Sequence, residues 1–138
     1  MKKLLLISFS VLFLTACTEE QKQYEQAVLQ QMQADQDIKD YNIDPQTMTD
    51  CVVDLTSRKM PGIISIDPRR GPYYVGYSKL ISVKTSADPK KELKEVRDLF
   101  GSSEEIRKAL NNYSKGVLEC MTALVSKSEE ELNEQEQS

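Results

Sequence analysis

Apolar residues recur at helical spacing along most of this chain, and the clearest series lies near the C-terminus. The series advances in alternating steps of four and three through Ile106, Leu110, Tyr113, Val117, Cys120 and Leu124. This spacing places the side chains on one face of an α-helix. Ser102 with Glu105 forms a capping-box pattern at the start. The pattern predicts a helix that serves as the apolar spine of the fold, followed by an acidic disordered tail over residues 127–138.

Three Asp-Pro pairs mark further helix starts: Asp44-Pro45, Asp67-Pro68 and Asp88-Pro89. An Asp side chain accepts hydrogen bonds from the free N–H groups of a first helical turn, and a Pro at the first helical position loses no bond there. The first pair predicts a helix to about Lys59. The third predicts a helix that ends at Gly101, which suits the left-handed conformation after a helix.

The segment from Tyr73 to about Val83 is ambiguous. Its apolar positions have helical offsets, but its aromatic and β-branched content also suits a strand. We predict a helix, with a strand as the alternative. Gly76 costs this helix about 1 kcal/mol unless a neighbour packs closely against it. The preceding residues 63–66 are predicted to form a loop tucked against the core.

Residues 17–43 carry only a sparse apolar series among many Gln residues. We predict a polar tether that becomes helical toward Tyr41. Residues 44–126 form the helical domain. The predicted fold class is therefore all-α, a small bundle of four or five helices with one disulfide.

The N-terminus has the layout of an export signal, since Lys2 and Lys3 precede an apolar run to Leu14. This run is about half of the roughly 20 residues that a membrane-spanning helix needs. Its last four residues, Leu14-Thr15-Ala16-Cys17, resemble the lipobox of bacterial lipoproteins. The resemblance implies that residues 1–16 are a signal peptide, that the chain is cut before Cys17, and that the Cys17 thiol carries the lipid.

The residue after the lipidated cysteine indicates the membrane. In lipoproteins of Gram-negative bacteria an Asp at this place commonly retains the protein in the inner membrane, whereas this chain has Thr18. If the source is Gram-negative, the resemblance implies attachment to the outer membrane on its periplasmic face. Otherwise it implies the extracytoplasmic face of the membrane.

The charge of the chain argues against nucleic acid as a partner. The net charge is −4, and removal of Lys2 and Lys3 with the signal makes it −6. An acidic surface does not favour phosphate backbones or anionic headgroups. Attachment to the membrane must therefore come from the lipid anchor, and two acyl chains are sufficient for stable anchoring.

Two cysteines remain, Cys51 and Cys120. In an oxidising compartment such a pair is more often a disulfide than two free thiols. A bridge across this separation stabilises the fold by about 4 kcal/mol on the loop-entropy model. It would place the helices that begin near Asp44 and Ser102 side by side. Two buried thiols are the alternative; a redox site is disfavoured because there is no C-x-x-C spacing.

The sequence offers little for catalysis. There is no histidine, which removes the commonest general base and the commonest metal ligand. No cofactor or metal is expected. Asp50 and Asp54 lie one helical turn apart and could share a proton or a cation, although a polar helix face also explains them. We expect a protein that is not an enzyme.

One group of residues has the composition of a partner-binding surface: Arg69, Arg70, Tyr73, Tyr74 and Tyr77. Arg and Tyr are enriched in protein interfaces. Such a surface would bind a protein or an anionic polymer by stacking and by forked hydrogen bonds. The alternative is that the tyrosines are half-buried core residues and the arginines are solvated.

These observations predict a membrane-anchored, non-enzymatic binding or assembly factor of the bacterial envelope, with an envelope protein as its partner. Small helical lipoproteins with one disulfide, such as the pilotins that escort secretion-system subunits, are similar in size and layout, although this chain has no pilotin motif. One alternative is a carboxylate-dependent enzyme that acts on cell-wall glycans. Another is an inhibitor or exclusion lipoprotein.

Overall fold

The computed structural model describes the backbone of residues 16–62, 64 and 67–136 and the side chains of 19–62, 64 and 67–130. The residues described form six α-helices and one 3-10 turn, with no strand among them. The all-α class is confirmed. The helices are α1 (Ala16–Ala34), α2 (Gln36–Asp40), α3 (Pro45–Ser57), α4 (Arg70–Ser82), α5 (Pro89–Phe100) and α6 (Ser103–Glu136). Most of the proposed signal peptide lies outside the described residues.

Helix α1 is the largest departure from the sequence prediction. The expected polar tether over 17–43 is wrong, because α1 is helical from Ala16 to Ala34 and packs against α3 and α4. Tyr24, Val28 and Met32 are at most 1% exposed. These three residues recur every fourth position, so one narrow stripe enters the core while the surrounding Gln and Glu side chains stay solvated.

Helices α3 and α6 lie side by side, as predicted, and are joined by the disulfide. The Cα atoms of Cys51 and Cys120 are 5.9 Å apart. One turn before Cys120, Gly116 lies against Thr56; a Cβ at Gly116 would come within 2.9 Å of Thr56 Cγ2. The two helices therefore approach closely because a glycine stands at their contact. At the start of α3, Asp44 accepts a hydrogen bond from the Thr47 N–H at 2.7 Å.

The ambiguous segment forms helix α4, so the helix prediction is confirmed. Phe100 packs on Gly76, where a Cβ would lie 2.9 Å from the ring, and this close contact explains the glycine. The start differs from the prediction, however: α4 begins at Arg70, three residues before Tyr73, and Asp67-Pro68 precedes the helix instead of starting it. The Asp67 carboxylate instead accepts a hydrogen bond from the Arg69 N–H at 3.0 Å, which stabilises a turn before the helix.

Helix α5 and its ends are as predicted. The Asp88 carboxylate accepts a hydrogen bond from the Lys91 N–H, and Pro89 is the first helical residue. Gly101 ends the helix with φ +77°, in the left-handed region that glycine adopts without a Cβ penalty. The Ser102 hydroxyl then accepts a hydrogen bond from the Glu105 N–H at the start of α6.

Helix α6 differs from the prediction in two respects. It continues to Glu136, so the disordered tail predicted from residue 127 is wrong over 127–136, where Glu and Lys favour helix. The residues on its buried face also differ from those predicted. Ala109 and Gly116 are buried, whereas Leu110, predicted on the apolar face, is 45% exposed. Small residues at the contact allow α6 to approach its neighbours closely.

The loop before α4 departs from the prediction where it can be judged. Ile64 is 57% exposed and is not tucked against the core. Residues 63, 65 and 66 lie outside the described residues. No helix in the described part of the chain combines the length and the hydropathy needed to cross a bilayer.

Candidate functional site: two clefts around a buried polar network

A buried hydrogen-bond network joins four helices behind the candidate sites. The Thr56 hydroxyl donates to the Val52 carbonyl at 2.7 Å and lies 2.8 Å from the Tyr24 hydroxyl. Because a threonine has one hydroxyl proton, Tyr24 must be the donor in this second bond. Burial raises the pKa of Tyr24, so its hydroxyl keeps the proton that it donates.

Asn112 of α6 extends the network to α4. Its Nδ2 donates to the Thr56 carbonyl at 3.1 Å and to the Tyr77 hydroxyl at 2.8 Å. Burial raises the pKa of Tyr77 as well. Tyr77 accepts from Asn112, so its own hydroxyl proton is free for another acceptor. These contacts specify how α1, α3, α4 and α6 pack.

The predicted Arg/Tyr surface does not form as one exposed patch. Tyr74 and Tyr77 are 2% and 3% exposed and pack on Tyr24, with ring centroids 6.0 and 5.6 Å away. Tyr73 is half-buried against Phe100, at 5.7 Å. The alternative of tyrosines in the core is therefore closer to the structure, because one face of α4 is turned toward α1.

The two arginines have different environments. Arg69 is exposed and pairs with Asp67, Nη2 to Oδ2 at 2.7 Å, and this hydrogen bond raises the pKa of Arg69. Arg70 is only 8% exposed, and its Nη2 donates to the Gly62 carbonyl at 3.0 Å. The prediction that both arginines are solvated or at a common surface is wrong, because Arg70 is turned inward.

Arg70 lines a cleft of about 630 Å³ between α1, α3 and α4, which we call the arginine cleft. Tyr74 also lines it, and its charged residues are Glu25, Asp50, Asp54, Arg58 and Arg70. Asp54 pairs with Arg58. Glu25 accepts a hydrogen bond from Gln21 and Asp50 accepts one from Gln46, both at 2.8 Å. Arg70 Nε and Ser57 Oγ are enclosed and find no hydrogen-bond partner among the described residues.

Tyr73 and Tyr77 line a second cleft, of about 310 Å³. We call it the lysine cleft because Lys59, Lys108 and Lys115 surround it, together with Glu105 and Asn112. Lys108 pairs with Glu105 at 2.8 Å. These lysines were not predicted from the sequence. Lys108 and Lys115 lie seven residues apart on α6, and the packing of α3 against α6 brings Lys59, which follows α3, close to them.

Cys51 and Cys120 are bonded to each other. Cys17 lies in the first turn of α1, and its side chain is outside the described residues. Within the described residues there is no group of three or more His, Cys, Asp or Glu side chains arranged to hold a metal ion. The expectation of no cofactor stays a prediction.

Comparison with known proteins gives no relative. No family model, no curated protein and no solved structure matches this chain.

Proposed function

We propose that this chain is a lipid-anchored protein of the bacterial envelope that acts by binding another envelope protein and not by catalysis. The anchor rests on the lipobox resemblance of Leu14-Thr15-Ala16-Cys17. Helix α1 begins at Ala16, and Tyr24 is already in the core. At 1.5 Å per residue, about 10 Å of helix separates Cys17 from Tyr24. A lipidated Cys17 would therefore hold the helical body close to the membrane, without a flexible spacer.

The lysine cleft is the observation that carries the binding role. Three lysines and one glutamate line it, so its local charge is opposite in sign to that of the whole chain. Lys59 and Lys115 are exposed and form no ion pair within the described part of the chain. Half-buried Tyr73 adds aromatic surface, and the hydroxyl of the buried Tyr77 lies at the wall of the cleft. Cations beside tyrosines suit an acidic segment of a protein partner.

The carboxylates of the other cleft support binding over catalysis. A carboxyl group that serves as a general acid at neutral pH needs an apolar setting that keeps it protonated. Asp50 and Asp54 are exposed, and Asp54 is paired with Arg58. Glu25 accepts a hydrogen bond from the Gln21 side-chain amide and is not enclosed in an apolar setting.

Charge reversal in the lysine cleft tests the binding role. The full chain would be crosslinked in envelopes, purified in detergent, and its crosslinked proteins quantified by mass spectrometry. Lys59→Glu/Lys115→Glu should lose the specific partner, whereas the control Lys39→Glu/Lys84→Glu, on exposed lysines elsewhere, should retain it. Equal partner recovery by both double variants would contradict this site.

The second candidate is the carboxylate-dependent enzyme. The observation that favours it is the presence of Glu25, Asp50 and Asp54 in the arginine cleft, contributed by α1 and α3. Its test is the release of reducing ends from isolated cell-wall glycan. Activity of the native chain that disappears in Glu25→Gln and Asp50→Asn would favour the enzyme over the binding protein.

A further inference from the structure

Arg70 is charged and more than nine-tenths buried, but the chain provides it with little compensation. One hydrogen bond, from Nη2 to the Gly62 carbonyl, is formed, while Nε has no acceptor and no carboxylate in the described ranges pairs with the guanidinium. Burying an uncompensated cation is costly. The enclosed Ser57 hydroxyl in the same cleft is also without a partner in the described structure. Because Arg70 lines the cleft, its uncompensated positive charge suits an acidic oxygen group supplied by a ligand.

The same cleft carries uncompensated negative charge. Asp54 is neutralised by Arg58, but among the described residues Glu25 and Asp50 have only the side-chain amides of Gln21 and Gln46 as partners. A ligand that complements the whole cleft has one anionic oxygen group and one cation that can donate hydrogen bonds. A simple anion would leave the two carboxylates without a counter-charge.

The cleft lies close to the proposed anchor. Gln21 and Glu25 are four and eight residues after Cys17 in α1, or about 6 and 12 Å along the helix. These are distances along the helix axis. The polar headgroup region of each leaflet is about 5 to 7 Å thick. The near wall of the cleft would therefore lie at or just above headgroup level.

We propose that the arginine cleft binds the zwitterionic headgroup of a phosphoethanolamine lipid, with the phosphate on Arg70 and the primary ammonium on Glu25 and Asp50. This inference rests on the anchoring in the proposed function and adds a second contact with the membrane. A guanidinium suits phosphate because its N–H groups form a planar fork. A primary ammonium offers three donors to the carboxylates.

The three common phospholipid headgroups should bind to this cleft with different affinities. Choline has the same net charge as ethanolamine, but its quaternary nitrogen has no N–H to donate. The glycerol headgroup has the phosphate but no cation. Loss of a charge-assisted hydrogen bond corresponds to about a tenfold loss of affinity. Phosphoethanolamine should therefore bind about tenfold more tightly than either of the other two.

The first arm of the test uses soluble headgroups. The full chain in detergent would be titrated with glycerophosphoethanolamine, glycerophosphocholine and glycerophosphoglycerol, following the Arg70 Nε–H resonance by NMR. Its assignment comes from the disappearance of that resonance in Arg70→Lys. We expect a saturable shift of this resonance, with the ethanolamine compound reaching saturation at the lowest concentration. No shift with any compound overturns the proposal, and an equal response to all three does so as well, because it describes a plain anion site.

A substitution at an exposed carboxylate of the arginine cleft tests recognition of the ammonium group separately from folding. Asp50 is exposed, and Asn in its place keeps an acceptor for Gln46. In Asp50→Asn, the ratio of the affinity for the ethanolamine compound to that for the choline compound should fall close to one. The control Asp37→Asn, an exposed carboxylate of α2, should keep the preference. An undiminished preference in Asp50→Asn would overturn the assignment of the ammonium.

The second arm uses membranes. The full chain would be placed in vesicles of phosphatidylethanolamine with phosphatidylglycerol and in vesicles of phosphatidylcholine with phosphatidylglycerol, at equal surface charge. The Arg70 Nε–H resonance should move to the chemical shift of the bound state only in the vesicles that contain phosphatidylethanolamine. Binding of the soluble compound without this vesicle response would indicate a free solute as ligand and overturn the membrane assignment. The mass of the Cys17 peptide tests the anchor separately, so the two failures are distinguishable.

Discussion

The Tyr24 hydroxyl donates a 2.8 Å hydrogen bond to Thr56 Oγ1, across 32 residues of sequence. Both residues are fully buried. Through this bond α1 is joined to α3 at the centre of the fold, and Asn112 and Tyr77 continue the network to α6 and α4. The segment that immediately follows the proposed anchor is thus part of the core.

Removal of the Tyr24 hydroxyl should destabilise the protein. Tyr24→Phe keeps the ring contacts but takes away the donor to Thr56, and the loss of one such buried bond lowers the free energy of unfolding by about 1 kcal/mol. Urea unfolding measures it. The control is Tyr41→Phe, since Tyr41 is 57% exposed and should change stability by less than about 0.5 kcal/mol. Equal effects from the two variants would show that the buried bond contributes nothing.

The contact between α3 and α6 predicts an unusual response to Gly116→Ala. In a free helix this change is favourable by about 1 kcal/mol. Here the new Cβ would meet Thr56 Cγ2 at 2.9 Å, and overpacking costs about 1 to 3 kcal/mol. We expect a net loss of stability in thermal or urea unfolding.

A second substitution checks the cause of that loss. Thr56→Ser removes the methyl group and keeps the hydroxyl that accepts from Tyr24. In the Thr56→Ser background, Gly116→Ala should no longer destabilise the protein. If its cost is the same in both backgrounds, contact with the Thr56 methyl group is not the reason for glycine at this position.

The disulfide should account for a large part of the stability. Cys51 and Cys120 close a loop with a sequence separation of 69. On the chain-entropy model, Cys51→Ala/Cys120→Ala should lower the free energy of unfolding by about 4 kcal/mol. Denaturant unfolding of the oxidised native chain, the reduced native chain and the double variant measures this. A reduced chain that is as stable as the oxidised one would contradict the prediction.

Stability should fall in acid. The Thr47 backbone N–H and hydroxyl hold the pKa of Asp44 below its usual range, and hydrogen bonds from Lys79 and Arg107 lower the pKa values of Glu95 and Glu104. A lowered folded-state pKa stabilises the protein above the unfolded-state pKa, about 4, and this contribution is lost as pH falls through the folded-state pKa.

The contribution of Asp44 can be isolated. Asn at position 44 can still accept the hydrogen bond from Thr47 but does not titrate. Urea unfolding between pH 7 and pH 2.5 should therefore show a shallower decline of stability for Asp44→Asn than for the native chain. A steeper or unchanged decline would mean that the Asp44 carboxylate is not stabilised in the folded state.

The sequence predicted those helices whose ends carry local signals. Asp44-Pro45, Asp88-Pro89 and Gly101 act through bonds within a few residues, and each lies at the helix end that it predicted. These end signals depend little on the rest of the fold. The disulfide was predicted in another way, from the cysteine count, because assigning Cys17 to the lipid leaves two cysteines for one bridge.

Features that depend on distant neighbours were missed. The buried stripe of α1 is narrow, and its burial depends on α3 and α4 packing around Tyr24 and Val28. Arg and Tyr are residue types common in interfaces, but the orientation of α4 in the fold buries the side chains of Arg70 and Tyr74. Both clefts combine residues from separate helices, and their spacing in the sequence carries no sign of that proximity.

The chemical state of Cys17 is the most direct test of the proposed membrane anchor. Intact-mass and peptide mass spectrometry of the protein purified from bacterial membranes should find a mature chain that begins at Cys17 and carries a diacylglycerol thioether. Cys17→Ser should abolish this mass and release the protein from the membrane fraction. A mature chain with an unmodified thiol at Cys17, or one that begins at another residue, would contradict the account.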